Sequence, residues 1–222
     1  MNARAHGFTL IEMLVAVAIL GMVVAIGSFG YAVFARHWST RAGHFAQAEG
    51  ELRRLDLVMR AVEDTLPYIV RNDAGRPGFY FLGRDEGVTL VSARPVFTAD
   101  GDAVIRLFRE PAGAGRWNLV YEEAPLAGVS LRRAQQTLPF SHRMIVLRDL
   151  PRIEFAFYGW ASLASYAQAL ASNQAPSWYA AYDGLATGLH PERLALRFGS
   201  NEVVVFMPAR AQTAVLRYAE QT

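Results

Sequence analysis

A single carboxylate, Glu12, stands at the start of the longest apolar stretch of the sequence. The chain there reads Gly7-Phe8-Thr9-Leu10-Ile11-Glu12, and no charged residue follows from Met13 to Ala35. A carboxylate at the mouth of a membrane helix is costly and needs a partner. In a solitary helix we expect Glu12 to lie at the headgroup level and to be hydrated. In an assembly it would be buried among neighbours, where a cation must meet it.

No catalytic motif is visible around the five histidines, which are His6, His37, His44, His142 and His190. Neither a Gly-x-Ser-x-Gly elbow nor a His-Glu-x-x-His sequence occurs. Ser141 and His142 are adjacent, which is poor geometry for a nucleophile and its base. We therefore expect that the protein is not an enzyme.

Composition and charge argue against several kinds of ligand. The chain has no cysteine, and its 22 basic residues, all arginine, face 20 acidic residues for a net charge of +2. This excludes a thiolate zinc site and gives no electrostatic case for nucleic acid. Asp100-Gly101-Asp102 could offer two oxygens to calcium, but two carboxylates around a glycine are more typical of a hairpin turn. We expect no cofactor and no metal.

Four aromatic residues near the end of the chain leave two interpretations open. They either form a surface for a partner, since aromatic side chains anchor interfaces, or cover the sheet as part of the core. These residues are Trp160, Trp178, Tyr179 and Tyr182.

The elements that position Glu12 begin with the uncharged segment from Met13 to Ala35. Its 23 residues would span about 34 Å as a helix, enough to cross the hydrocarbon core. A cleaved secretory signal is the alternative. The run is longer than a signal core, however, and it lacks a small-x-small cleavage site followed by a polar mature start. The pattern predicts a membrane anchor followed by a soluble part.

A second helical segment follows the anchor and ends near Pro67. Apolar residues recur there at alternating spacings of three and four, which predicts one helical face, and Pro67 ends the helix at or just before Leu66. Such a face could form a coiled coil, but it lasts only three heptads, so we expect it to pack on its own domain. The face consists of Phe45, Ala48, Leu52, Leu55, Met59, Val62 and Leu66.

After Arg71, clusters of Gly, Pro, Asn and Asp separate short β-prone runs, which predicts a β-rich domain with one short helix over 162–172. The predicted strands are Phe79–Leu82, Val88–Ser92, Ala103–Arg109, Arg116–Glu122, Met144–Leu147, Arg152–Tyr158, Arg193–Phe198, Val203–Met207 and Ala214–Tyr218.

The sequence from Gly7 to Glu12, directly ahead of the uncharged run, resembles the processing motif of type IV pilins and pseudopilins. That motif is Gly followed by Phe-Thr-Leu-Ile/Leu-Glu. The resemblance implies that a membrane prepilin peptidase cuts between Gly7 and Phe8 and N-methylates the new Phe8 amine. It also implies an assembly role for Glu12, which would pair with the Phe8 amine of an adjacent subunit.

The resemblance also implies an organisation of the chain. The fold expected is α+β: a long N-terminal helix packed against an antiparallel β-rich domain. The segments are a cleaved leader over 1–7, a transmembrane half-helix over 8–35, an amphipathic half-helix over 36–70 and a β-rich domain over 71–222. The charges that flank the anchor do not decide its orientation. By resemblance, the leader is cytoplasmic, the anchor crosses the inner membrane once, and the chain from about Arg36 lies in the periplasm.

Within this family the chain resembles the GspJ group, which are minor pseudopilins of type II secretion. The segments that carry this likeness are Arg54–Asp64, Ile69–Arg71, Glu123–Leu126, Leu150–Tyr158, Trp178–Gly184 and Pro191–Phe198. The implied partners are the pseudopilins GspI, GspK and GspG and a secreted protein substrate, and the implied role is structural, at the tip of the pseudopilus. A minor type IV pilin that initiates pili is the main alternative, and a membrane-anchored periplasmic enzyme is a remote one.

Overall fold

The structure is a computed structural model that describes residues 10–72 and 74–207. The chain divides into two compact units, Met1–Gly50 and Glu51–Thr222. Helix α1 (Leu10–Glu63) contributes residues to both. The predicted strand Ala214–Tyr218 lies outside the described residues.

The second unit is β-rich and antiparallel, which confirms the predicted α+β class. Its described helices after α1 are α2 (Leu163–Ser172) and α3 (Gly184–Thr187). Its described strands are β1 (Thr65–Leu66), β2 (Ile69–Arg71), β3 (Pro77–Phe79), β4 (Phe81–Arg84), β5 (Gly87–Ser92), β6 (Ala103–Gly113), β7 (Arg116–Pro125), β8 (His142–Leu150), β9 (Ile153–Gly159), β10 (Ser177–Tyr179), β11 (Tyr182–Asp183), β12 (Arg193–Phe198) and β13 (Asn201–Phe206).

Two sheets and a short ribbon make up this unit. The larger sheet has the order β11-β4-β5-β6-β7-β8, and β1 pairs with the end of β5. From β4 to β8 it is a meander, in which each strand pairs with the next one in the chain. The smaller sheet has the order β10-β9-β12-β13, and β2 and β3 form a separate two-stranded ribbon.

The main core lies between the two sheets and the end of α1. Alternation places Ile153, Phe155 and Phe157 on the inner face of β9, and it does the same for Leu194, Leu196 and Phe198 on β12. The larger sheet contributes Leu90, Leu107 and Leu119 among others. A second cluster covers the opposite face of the larger sheet and includes Val70, Tyr80, Val91, Val104, Ala124 and Leu131.

The buried face of α1 is shorter and wider than the spacing predicted. Leu55, Met59 and Val62 are buried as expected, and Val58 and Ala61 join them. Leu52, however, is 62% exposed, and Ala48 is also exposed. The side chain of Phe45 lies outside the described residues. A helix packed on a sheet buries positions i, i+3, i+4 and i+7, so a strict 3-4 alternation omits part of the contact face.

Helix α1 ends at Glu63, three residues before the predicted end at Leu66. The chain leaves the helix because Thr65 and Leu66 pair with Ser92 and Val91 of β5. Two hydroxyls satisfy carbonyls of the last turn: Thr65 Oγ1 donates to Val62 O, and Ser92 Oγ donates to Ala61 O at 2.6 Å. These bonds replace helical amide donors, so the helix can stop ahead of the proline.

Most predicted strands are present but longer than the sequence indicated. The strand predicted over Ala103–Arg109 continues to Gly113, because residues 110–113 still pair with β7 across an irregularity. The strand predicted over Phe79–Leu82 is instead two strands, β3 and β4, which pair with different partners. The predicted helix over 162–172 is α2, and Ser162 caps it by accepting a hydrogen bond from the Ser165 amide.

Candidate assembly site

The N-terminal part of α1 is apolar on all sides apart from Glu12 in its first turn. Residues Leu10–Tyr31 have a mean hydropathy of 2.6, and each of them is exposed in the part of the chain that the structure describes. Leu10, for example, is 84% exposed. Within the described residues this is the one helix long and apolar enough to cross a membrane. A helix with no polar face requires lipid or neighbouring apolar helices around it.

Glu12 lies in the first turn of this helix and is exposed. A carboxylate in the first turn interacts favourably with the positive end of the helix dipole. It is the one acidic residue between Leu10 and Tyr31, in a segment otherwise made of apolar and small side chains. Of the other predicted site residues, Gly7 and Phe8 lie outside the described residues, so cleavage and N-methylation there stay predictions from the sequence.

The family comparison concerns this same segment. A family model described as the prokaryotic N-terminal methylation motif matches residues 2–28. This motif marks the type IV pilin and pseudopilin family, and the chain shares it over these residues. The motif is the signature of a prepilin peptidase substrate, and the matched residues include both Glu12 and most of the apolar helix. No curated protein matches the chain.

In the second unit, His190 and His142 pack against aromatic rings. The ring of His190 is buried, with Nδ1 3.1 Å from the Pro191 carbonyl oxygen and its centroid 4.6 Å from that of Phe81. Burial lowers the pKa of His190 to about 4, against a smaller opposing effect of the Pro191 carbonyl. His190 is therefore neutral at pH 7. The ring of His142, at the start of β8, lies 5.3 Å from that of Phe97.

The candidate calcium ligands Asp100 and Asp102 do not belong to a larger group of metal-binding side chains among the described residues. Across residues 10–72 and 74–207, no group of three or more His, Asp or Glu side chains could hold a metal ion. Asp100-Gly101-Asp102 lies in the loop between β5 and β6, where Gly101 has φ +108°, a conformation that favours glycine. The Asp102 carbonyl accepts a hydrogen bond from the Leu126 amide at 2.9 Å.

The four aromatic residues divide between core and surface. Tyr182 is buried and donates a hydrogen bond to the Trp160 carbonyl at 3.0 Å, and Tyr179 is half-buried against the core. Trp160 is half-buried and its ring nitrogen donates to Glu192 at 3.3 Å. Trp178, by contrast, is 43% exposed. Tyr182 therefore belongs to the core, whereas Trp178 lies at the surface, and a partner surface there stays a prediction.

A buried carboxylate, Glu123, was missed by the sequence analysis. It lies on β7, is fully covered, and holds the loop between β5 and β6. Its oxygens accept hydrogen bonds from the Thr98 amide at 2.7 Å, the Phe97 amide at 3.0 Å and the Tyr121 hydroxyl at 2.7 Å. The Thr98 hydroxyl donates a fourth.

The hydrogen bonds to Glu123 decide its charge. Burial by itself raises the pKa of Glu123, but the donors of Thr98, Phe97 and Tyr121 outweigh burial, so its pKa is lowered. Burial and the adjacent carboxylate raise the pKa of Tyr121, which stays a neutral donor. The signal was present in the sequence: Leu119, Tyr121 and Glu123 alternate on one face of a strand, and the first two are core types.

Proposed function

We propose that this chain is a minor pseudopilin of the GspJ type, which assembles at the pseudopilus tip of a type II secretion system. One observation carries the proposal. The N-terminal methylation motif runs directly into an apolar helix whose side chains, among the described residues, are all exposed from Leu10 to Tyr31. Such a helix is stable in a membrane and can later pack among equivalent helices of a filament.

The processing steps follow from the motif. The prepilin peptidase cuts after Gly7, removes residues 1–7 and methylates the amine of Phe8. That amine keeps its positive charge and pairs with Glu12 of an adjacent subunit. At about 4 Å and an effective dielectric of about 20, the attraction is about 4 kcal/mol, and desolvation of both charges offsets much of it. The pair therefore sets the register of neighbouring subunits more than it stabilises them.

In this proposal the anchor crosses the inner membrane once, with the leader in the cytoplasm and the second unit in the periplasm. The role is structural and not catalytic. The neutral, buried His190 supports this, as does His142, which lies against the ring of Phe97. The choice of a GspJ-type pseudopilin over a minor type IV pilin is supported by the sequence segments that resemble GspJ.

The assembly step is tested with Glu12→Gln, which keeps the size of the side chain and removes its charge. The full chain is expressed with its prepilin peptidase, GspI and GspK, and intact mass and co-purification are measured. We expect normal loss of the seven-residue leader but an at least tenfold weaker recovery of the partners, about 1.4 kcal/mol. Gly7→Leu should instead retain the leader.

Glu86→Ala serves as the matched control, because Glu86 is an exposed glutamate in the turn between β4 and β5. It should leave both cleavage and recovery unchanged. Equal recovery of partners with Glu12→Gln and with the control would refute the ion-pair role. Deletion of the gene then separates the two kinds of filament: loss of protein secretion supports the pseudopilin, whereas loss of surface pili with normal secretion supports the type IV pilin.

A further inference from the structure

One row of large side chains crosses the outer face of the smaller sheet. Trp178 of β10 pairs with Tyr158 of β9, and Tyr158 pairs in turn with Arg193 of β12. Arg193 pairs with Phe206 of β13. Directly paired residues of antiparallel strands point to the same face, so these four side chains form a single row across four strands. We call Trp178, Tyr158, Arg193 and Phe206 the aromatic row.

The aromatic row holds its cation between two rings. The guanidinium carbon of Arg193 lies 4.9 Å from the ring centroid of Tyr158 and 4.7 Å from that of Phe206. The rings of Tyr158 and Trp178 have their centroids 5.1 Å apart. Cation–π contacts on both sides restrict the Arg193 side chain, so little conformational entropy remains to be lost when a ligand binds.

The charges near the row leave Arg193 available for a ligand. Elsewhere on these strands Arg197 pairs with Glu202 at 2.7 Å, and Arg152, just before β9, pairs with Glu154 at 2.6 Å. Within residues 10–72 and 74–207, by contrast, no carboxylate forms an ion pair with Arg193. Arg197 and Arg152 are thus neutralised within the chain, whereas Arg193 is flanked by the rings of Tyr158 and Phe206.

The apolar frame is accessible to a partner. Phe206 is 61% exposed and Val204, on the same face of β13, is 40% exposed. Trp178 is also exposed at the other end of the row. Beside the row, Ala156, Ala195 and Val204 are paired across β9, β12 and β13. The side chains of Ala156, Ala195 and Val204 are shorter than the neighbouring rings, and that of Ala195 is buried.

We propose that the aromatic row docks a protein partner through an acidic side chain flanked by apolar ones. The partner's carboxylate meets Arg193 in a charge-assisted hydrogen bond, and its apolar neighbours pack on Phe206 and Trp178. Aromatic and arginine side chains provide most of the binding energy at protein interfaces, which favours a protein over a lipid or a glycan. The surface belongs to the second unit and does not depend on which kind of filament the chain joins.

The test uses the full chain in its host with a photo-crosslinking amino acid in place of Val204. We expect crosslinks to another protein, at a segment where Asp or Glu is flanked by apolar residues. Arg193→Glu should lower the crosslink yield about tenfold, and changing the partner's acid to arginine should restore it. Arg197→Glu is the matched control and should change the yield by no more than about twofold, because it lies outside the row.

Folding is checked separately from docking. Thermal midpoints of the variants are compared, and Phe206→Ser, at the most exposed end of the row, should lower the yield without unfolding the protein. The proposal is overturned by crosslinks only to lipid, only to residues 208–222 of the same chain, or to no partner. A yield that Arg193→Glu leaves unchanged, or that the charge exchange fails to restore, would also overturn it.

Discussion

Replacing Glu123 by glutamine should destabilise the second unit strongly, although the two side chains have nearly the same volume. The carboxylate of Glu123 accepts hydrogen bonds from four donors, which belong to Thr98, Phe97 and Tyr121. A glutamine has one oxygen and one NH2 group at this end. Whichever way the amide turns, its NH2 group faces donors, and at least one backbone amide loses its acceptor.

The magnitude follows from those contacts. A buried donor left without an acceptor costs about 1–3 kcal/mol, and a hydrogen bond to a charged group contributes about 1.5–3 kcal/mol. The Tyr121 hydroxyl can rotate away from the new NH2 group, whereas the Phe97 and Thr98 amides are fixed by the chain. We therefore expect Glu123→Gln to lower the free energy of unfolding at pH 7 by about 2–3 kcal/mol.

The difference in the free energy of unfolding between the wild type and Glu123→Gln should also depend on pH. Since the fold lowers the pKa of Glu123, its ionisation stabilises the fold fully above the pKa of an unfolded glutamate, about 4.3. This stabilisation is lost as the pH falls through the lower pKa of the folded state. The gap between wild type and variant should therefore be widest near neutral pH and narrow in acid.

Urea unfolding of the full chain in detergent micelles, followed by tryptophan fluorescence, measures this gap at pH 7 and at pH 3. Comparing the two proteins at the same pH cancels the titration of distant groups. Glu110→Gln is the control, because Glu110 is 39% exposed and pairs with Arg143, so its loss should cost no more than about 1 kcal/mol. A variant as stable as wild type at pH 7, or a gap equal at both pH values, would refute this reasoning.

Three further predictions concern the core and the helix end. Gly83→Ala should lower the thermal midpoint, since a Cβ there would lie 2.5 Å from the buried ring of Phe157; an unchanged midpoint would contradict this packing. Ser92→Ala removes the donor to the Ala61 carbonyl and should cost about 1–2 kcal/mol in urea unfolding, whereas a neutral result would mean that the helix end needs no cap. His190→Phe should flatten the fall in stability between pH 6.5 and about 4, because burial keeps His190 neutral in the folded state while the unfolded chain takes up a proton. If the thermal midpoint falls equally in the wild type and in His190→Phe between pH 6.5 and about 4, the buried neutral His190 is not the cause of the fall.

The features predicted best from the sequence are those that a local pattern determines. The apolar helix followed from an uncharged run, and strands such as Arg193–Phe198 followed from alternation between a buried and an open face. The N-terminal methylation motif that pilins and pseudopilins share followed from six consecutive residues. None of these predictions required knowledge of what lies beside the element.

The features that were missed depend on partners distant in sequence. Helix α1 ends early because Ser92 and Val91 pair with residues 65–66, and the sequence near the helix end does not indicate that pairing. The short strand Tyr182–Asp183 exists only because it pairs with β4, about one hundred residues earlier. The burial of Glu123 could not be predicted from its type, because acidic side chains are ordinarily exposed, although Glu123 continues the inward-facing series of Leu119 and Tyr121.

The strand order of the larger sheet has a consequence for how the chain folds. Strands β4 to β8 are consecutive hairpins, so they can form from local contacts as soon as residues 81–150 are available. The edge of β4, however, is closed by Tyr182 and Asp183, which pair with Gly83 and Leu82. Until β11 has been synthesised and has paired with it, β4 presents an open strand edge that can pair with other chains. A product truncated between residues 150 and 180 should therefore aggregate by edge pairing, although it contains the whole meander.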